Sequence, residues 1–176
     1  MSKNKHFPAV HPSYVYGPLV PSTKIAKGDF GSLSSVAYFW QVVLPEGGSS
    51  VTMDRDEHPI GPINVDVRDV ARAHVLALTA PLASEVGRKR IIVSGPTMAW
   101  VDAVIYLRKA MPELRDRLPT VAEGAEEKPH LKAMTGSMKR AEELLGMKAE
   151  GMMDWRKMAE DTVKCILEVE KEWKAE

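Results

Sequence analysis

The chain has 176 residues, 44% of them hydrophobic, with 24 basic and 24 acidic side chains and a formal net charge of zero. That length is enough for one domain with a real core, and the charge balance excludes a general electrostatic pull toward nucleic acid or anionic lipid. The longest apolar run, residues 36–44, is interrupted by Gln41 and falls far short of the ~20 residues of a membrane span, and no apolar segment follows Lys3 and Lys5 as a secretory leader requires. A soluble, cytoplasmic protein is expected. The one cysteine, Cys165, allows no internal disulfide; beside Ile166 in a predicted helix, with no activating neighbour in sequence, it reads as a buried structural thiol.

Residues 7–16, Phe-Pro-Ala-Val-His-Pro-Ser-Tyr-Val-Tyr, form a β-type run closed by Gly17-Pro18. Proline cannot donate to a ladder, so Pro12 belongs at a strand end or a bulge. Residues 19–31, with Pro21, Ser22, Gly28 and Gly31, read as a loop. Over residues 32–44, Leu33, Val36, Ala37, Trp40 and Val43 or Leu44 fall at helical spacing, Ser32 stands where an N-cap is wanted, and Pro45 with Gly47-Gly48 ends the helix. Residues 48–62 are polar and turn-rich. Their charged run, Asp54-Arg55-Asp56-Glu57-His58, reads as a solvated loop, since the central Gly and terminal Glu of a calcium loop are missing. No metal site is expected.

Residues 63–78 organise the chain: a short strand, Ile63 to Val65, passes into a helix capped by Asp66, with Asp69 in its first turn where the dipole favours a carboxylate. Val67, Val70, Ala71, His74 and Leu78 recur at helical spacing and form the expected buried stripe. Residues 90–94, Arg-Ile-Ile-Val-Ser, read as a buried strand and Gly95-Pro96-Thr97 as a turn. Val101, Val104, Ile105 and Met111 mark a helix over residues 99–111, stopped by Pro112. Residues 112–136 read as a loop or lid. Ser137 caps a short helix that ends at Gly146, and Asp154 caps a final helix with Trp155, Met158, Thr162, Ile166, Val169 and Trp173 on one core-facing stripe.

Two strings carry a resemblance. Residues 65–74, Val-Asp-Val-Arg-Asp-Val-Ala-Arg-Ala-His, and residues 11–18, His-Pro-Ser-Tyr-Val-Tyr-Gly-Pro, resemble segments of the extended short-chain dehydrogenases/reductases. The branch is that of dihydroflavonol reductases, cinnamoyl-CoA reductases and fungal aldehyde and methylglyoxal reductases. The order Leu144-Leu145-Gly146-Met147 before a closing helix is similar to that family's C-terminal end. The resemblance implies an α/β fold, the C-terminal part of a Rossmann-like doubly wound sheet plus a small substrate-binding lobe. One partial domain follows, with residues 7–95 as the last Rossmann strands and helices and residues 96–176 as mainly the substrate lobe. It also implies that Pro12 and Val15 contact the nicotinamide half of NADP(H), with NAD(H) the alternative, and that Tyr14 lines the substrate pocket. Ser32 is a further cofactor contact, replaced by Ser34 if the alignment slips. His11 departs from the asparagine usual in the family.

The Gly-x-x-Gly-x-x-Gly turn that holds pyrophosphate is absent from this chain, although it has 12 glycines. Tyr14, Tyr16, Tyr38 and Tyr106 are followed four residues on by Pro18, Val20, Val42 and Ala110, so the family's Tyr-x-x-x-Lys proton-donor pair is absent too, and no catalytic residue is assigned. The reading is a truncated reductase of aldehydes or ketones, inactive alone, with exposed sheet edges that make it marginally stable or dependent on self-association or on pairing with a full-length homologue. The alternative is a non-catalytic interaction fragment. His6, His11, His58, His74 and His130 lack the spacing of a metallohydrolase.

Overall fold

The computed structural model describes residues 8–21, 23–54, 63–81, 83–125 and 137–175. Residues 55–58 of the charged run, residues 126–136 of the expected lid, and His6, His58 and His130 lie outside them.

The first β-type run becomes two strands, β1 (Ala9–Pro12) and β2 (Tyr14–Tyr16), with a bend at Ser13. Pairing explains the bend. The Ser13 amide donates to the Val93 carbonyl at 3.1 Å, whereas the Tyr14 amide donates to the Ile63 carbonyl at 3.3 Å. β1 runs parallel to β5 (Arg90–Val93), and β2 runs parallel to β4 (Asn64–Asp66). Ala9 and Ser13 both turn their amides toward the β5 side, so alternation puts Val10 and Pro12 on the opposite edge of β1. Pro12 therefore ends the strand without removing a bond from the β1–β5 ladder. β3 (Thr52–Met53) and β6 (Thr120–Val121) make a third parallel pair.

Helix α1 (Ser35–Val43) begins later than a cap at Ser32 would place it. The Ser32 amide and hydroxyl are both held by the Asp29 carboxylate, at 3.2 and 2.5 Å, which fixes Gly31–Leu33 as a 3-10 turn instead. With α4 (Trp100–Ala110) and α6 (Trp155–Ala175), α1 encloses the larger core, in which Phe39, Trp100, Leu107, Met158 and Ile166 are buried around Tyr16. The Tyr16 ring lies 5.3 Å from Phe39 and 5.8 Å from Trp100, both edge-on, and each such side chain contributes roughly 1.5–3 kcal/mol by burial. The Asp154 carboxylate caps α6 by accepting the Arg156 amide at 2.8 Å.

The smaller core lies where α2 (Val67–Ala77) and α5 (Lys139–Leu145) cover one face of the β1–β5 pair, with Ile91, Val93, Ala73, Ala77, Ala141 and Leu145 inside. A four-residue helix, α3 (Ala83–Val86), precedes β5. Two expectations fail here. The expected stripe on α2 is not the buried one: Asp69, Ala73 and Ala77 face the sheet, while Ala71 and His74 are exposed and Leu78 is 74% exposed. The small alanines let the helix approach the sheet closely, and Asp69 is drawn inward by the Met153 amide at 2.7 Å. β5, expected to be buried, is covered on one face only, with Arg90 exposed and Ile92 40% exposed on the other. Among the described residues no helix is long and apolar enough to cross a membrane.

Candidate functional site

Pro12, Tyr14 and Val15 line one cleft of about 790 Å³ together with Ser13, Ser34, Ser35, Tyr38 and Ile63. It opens at the bend between β1 and β2, at the carboxyl end of β1, where open parallel sheets take their ligands. The Ser35 hydroxyl donates to the Val15 carbonyl at 2.5 Å. That bond fastens the start of α1 to β2 and sets one wall of the cleft.

The Tyr14 and Tyr38 rings stand 6.2 Å apart at 36°. Tyr14 stacks on Tyr16 at 6.4 Å, and Tyr38 packs edge-on against Trp100 at 5.7 Å. Burial, reinforced by Tyr14, pushes the Tyr38 phenol above its ordinary range, so at neutral pH it is protonated and a hydrogen-bond donor. Tyr16 is pushed up much further by burial. The Ser13 hydroxyl is buried in the cleft wall and has no hydrogen-bond partner among the described residues, an arrangement that costs about 1–3 kcal/mol unless a ligand completes it. Ser34 has φ of 50° and ψ of −124°. A non-glycine residue in that region carries strain of order 1–3 kcal/mol, and such strain collects at functional sites.

The segment named above as organising the chain braces this site from below. Gly17 turns the chain after β2, and its amide donates to the buried Thr162 hydroxyl at 2.8 Å. Asp66 accepts the Arg68 amide at 2.8 Å and also the Arg68 side chain, from Nε at 2.8 Å and Nη2 at 2.7 Å. The far side of the same guanidinium reaches Asp161 on α6 at 2.8 Å. The end of β4, the start of α2 and α6 are thus one polar unit beside the cleft. Cys165 is buried, accepts the Leu19 amide at 3.3 Å, and has its thiol pushed up by burial.

Ser32 lies outside the cleft, with its hydroxyl on Asp29, and Ser34 lines it instead. His11 is exposed on β1. Tyr106 is elsewhere, donating to Glu160 at 2.5 Å. Sequence reasoning missed Ser13, Ser35, Tyr38 and Ile63. Tyr38 follows Ser34 at the i, i+4 helical spacing, but only knowledge that α1 begins against β2 would have singled it out.

No protein-family model and no curated protein matches the chain. Solved structures do. The yeast methylglyoxal/isovaleraldehyde reductase Gre2, solved with NADPH, matches 93% of this chain and 44% of its own length at 25% identity, with a TM-score of 0.63. The chain folds as the C-terminal part of an extended short-chain dehydrogenase/reductase. Vestitone reductase from alfalfa shares this extended short-chain dehydrogenase/reductase fold over 94% of the chain and 45% of its own, at 20% identity and a TM-score of 0.59. The UDP-glucose 4-epimerase of Thermotoga maritima does so over 90% and 45%, at 19% identity and a TM-score of 0.53. The chain spans less than half the length of each of the three.

Proposed function

We propose that this chain supplies the nicotinamide-contacting strand end and the substrate wall of an NADP(H)-dependent reductase of small aldehydes or ketones in the cytoplasm, with NAD(H) as the alternative cofactor. The observation that carries the reading is the gathering of Pro12, Tyr14, Val15 and Tyr38 around one cleft at a parallel strand end, in a fold shared with a carbonyl reductase solved with NADPH. The residues present fit a nicotinamide. Pro12 and Val15 offer apolar surface, and the unpartnered Ser13 hydroxyl offers a donor and an acceptor to a carboxamide.

When bound, the cofactor supplies hydride. In this reading Ser35 holds the Val15 backbone in place, Pro12 and Val15 exclude water from one face of the cleft, and Tyr14 and Tyr38 border the carbonyl compound. The protonated Tyr38 phenol donates a hydrogen bond to its oxygen, favouring charge that develops there. The 176 residues contain neither a Tyr-x-x-x-Lys pair nor a Gly-x-x-Gly-x-x-Gly turn, so the reading assigns this chain no turnover by itself. A non-catalytic interaction unit, self-associating or pairing with a full-length homologue, is the second reading; exposed Leu78 and Ile92 favour it.

The test is titration of the chain with NADPH and, separately, with reduced nicotinamide mononucleotide, following nucleotide fluorescence and thermal unfolding. Contacts confined to the nicotinamide half predict saturable binding of both with affinities within about tenfold, abolished when Val15→Trp fills the cleft. No response to either nucleotide would refute the reading.

A further inference from the structure

We infer that the depression at the carboxyl end of α4, where Arg108, Lys109 and Arg115 meet β6, binds the phosphoryl group of a small phosphomonoester. The chain builds it by folding back on itself. α4 ends at Ala110, Pro112–Leu114 forms a 3-10 turn, and the chain returns along β6 from Thr120. The cavity so formed has a volume of about 480 Å³ and is lined by Ile105, Arg108, Lys109, Arg115, Thr120 and Val121. It shares no lining residue with the cleft of Tyr14 and Tyr38, so the inference stands apart from the reductase reading.

Backbone carbonyls, rather than carboxylates, hold the two guanidiniums together. Arg108 Nη1 donates to the carbonyls of Arg115, Leu118 and Pro119, each at 3.0 Å, and Arg115 Nε donates back to the Arg108 carbonyl at 3.3 Å. These bonds orient both forks and cover carbonyls that would otherwise repel an anion at a helix carboxyl end. They leave Arg108 Nη2 and both Nη atoms of Arg115 without a partner among the described residues, and Lys109 stands exposed beside Arg108. Elsewhere Arg68, Arg117 and Arg140 each hold a carboxylate. Here no carboxylate among the described residues pairs with Arg108, Lys109 or Arg115, although Glu113 and Asp116 belong to the same stretch of chain. Three like charges gathered without a counter-charge repel one another, and an anion between them removes that cost.

The donor set selects the anion. One fork suffices for a carboxylate, as Arg117 shows by holding both oxygens of Glu170, at 2.8 and 2.5 Å. Two forks and an ammonium exceed that need and match a phosphoryl group, which carries a charge near −2 and three acceptor oxygens. Half-buried Ile105 and Val121 give the cavity an apolar side for the carbon body of the ester. A cavity of about 480 Å³ is of small-molecule size, and three cations at one spot do not make the track that a nucleic-acid backbone follows.

The experiment is calorimetric titration of the full chain with phenyl phosphate, inorganic phosphate and benzoate. Phenyl phosphate should bind saturably, several-fold tighter than inorganic phosphate, and about tenfold or more tighter than the monoanion benzoate. Arg115→Gln and Lys109→Gln should each weaken it about tenfold and leave the Tm unchanged, since both side chains are exposed. Arg115→Lys keeps the charge without the fork and should restore only part of the affinity. Val15→Trp, which fills the other cleft, should leave phenyl phosphate binding intact, so this inference and the reductase reading fail separately. Absence of saturable binding, or benzoate binding as tightly as phenyl phosphate, would overturn the inference. So would full recovery with Arg115→Lys, which means diffuse charge, or loss of binding with Val15→Trp, which puts the ligand elsewhere. A phosphoserine peptide that binds more tightly than phenyl phosphate would assign the surface to a protein partner and overturn it as well.

Discussion

At Gly17 the backbone has φ of 119°, and a Cβ there would come within 3.0 Å of Val67 Cγ1 and 3.3 Å of Asp66 Oδ2. Gly17→Ala is expected to cost roughly 1–3 kcal/mol, from both the left-handed backbone and the close approach, readable as a lower urea midpoint with an unchanged slope. Tyr38→Phe keeps the ring packed on Trp100 and removes the phenol. It should weaken binding of a carbonyl ligand by about tenfold while moving the Tm little, and an unaltered ligand affinity would take Tyr38 out of the site. At Asp161, burial opposes ionisation, but hydrogen bonds from Lys157 and Arg68 outweigh it and hold the carboxyl below its usual range. A depressed folded pKa means that the stabilisation is fully present above the ordinary carboxylate range of about 4 and is lost as pH falls through the lowered value. Both partners are more than one-third exposed, so the effect is held to about 1 kcal/mol. Denaturation of Asp161→Asn and the parent at pH 7 and pH 3 should show a difference at neutral pH that shrinks in acid.

Helix ends were legible because their causes are local. Asp66 and Asp154 cap α2 and α6 through amides two residues on, Gly146 stands in the left-handed position after α5, and Pro112 follows α4 directly after Met111. Which face of a helix is covered was not legible in the same way. Periodicity marked Val67, Val70, Ala71, His74 and Leu78 on α2 as a burial stripe, but burial needs a partner, and in this chain the sheet takes the Ala73–Ala77 face. Ser32 failed as a cap for a related reason: Asp29, three residues earlier, takes both its amide and its hydroxyl, so the hydroxyl is turned away from the amides a cap would accept. Pro12, Tyr14 and Val15 were singled out by the resemblance of residues 11–18, and the strand bend brings them to one cleft. Tyr38 and Ser35 were not, because their place depends on a contact between α1 and β2 across 20 residues of chain. The polar unit at the start of α2 gives a test at this scale. Asp66→Ala removes the cap and leaves Arg68 with one carboxylate in place of two, at a cost of roughly 2–4 kcal/mol. Amides of the first turn of α2 should lose protection before the rest of the helix.

Across the whole molecule the two cores differ in completeness. Around Phe39, Trp100 and Leu107 the helices α1, α4 and α6 enclose their apolar residues on all sides. The core of Ile91 and Val93 is closed on one face of a two-stranded pair, and large apolar side chains stay in water beside it. Stability of an intact domain is only ~5–15 kcal/mol, so the second core should open first. The site lies on the line between these regions, with Pro12 on β1 and Tyr38 on α1. The measurement that tests the account most directly is hydrogen–deuterium exchange of the full chain with and without saturating NADPH. Slowed exchange is expected to be confined to residues 13–16 and 34–38, the strand bend and the start of α1. Protection elsewhere with none at these residues, or no change at any nucleotide concentration, would contradict it.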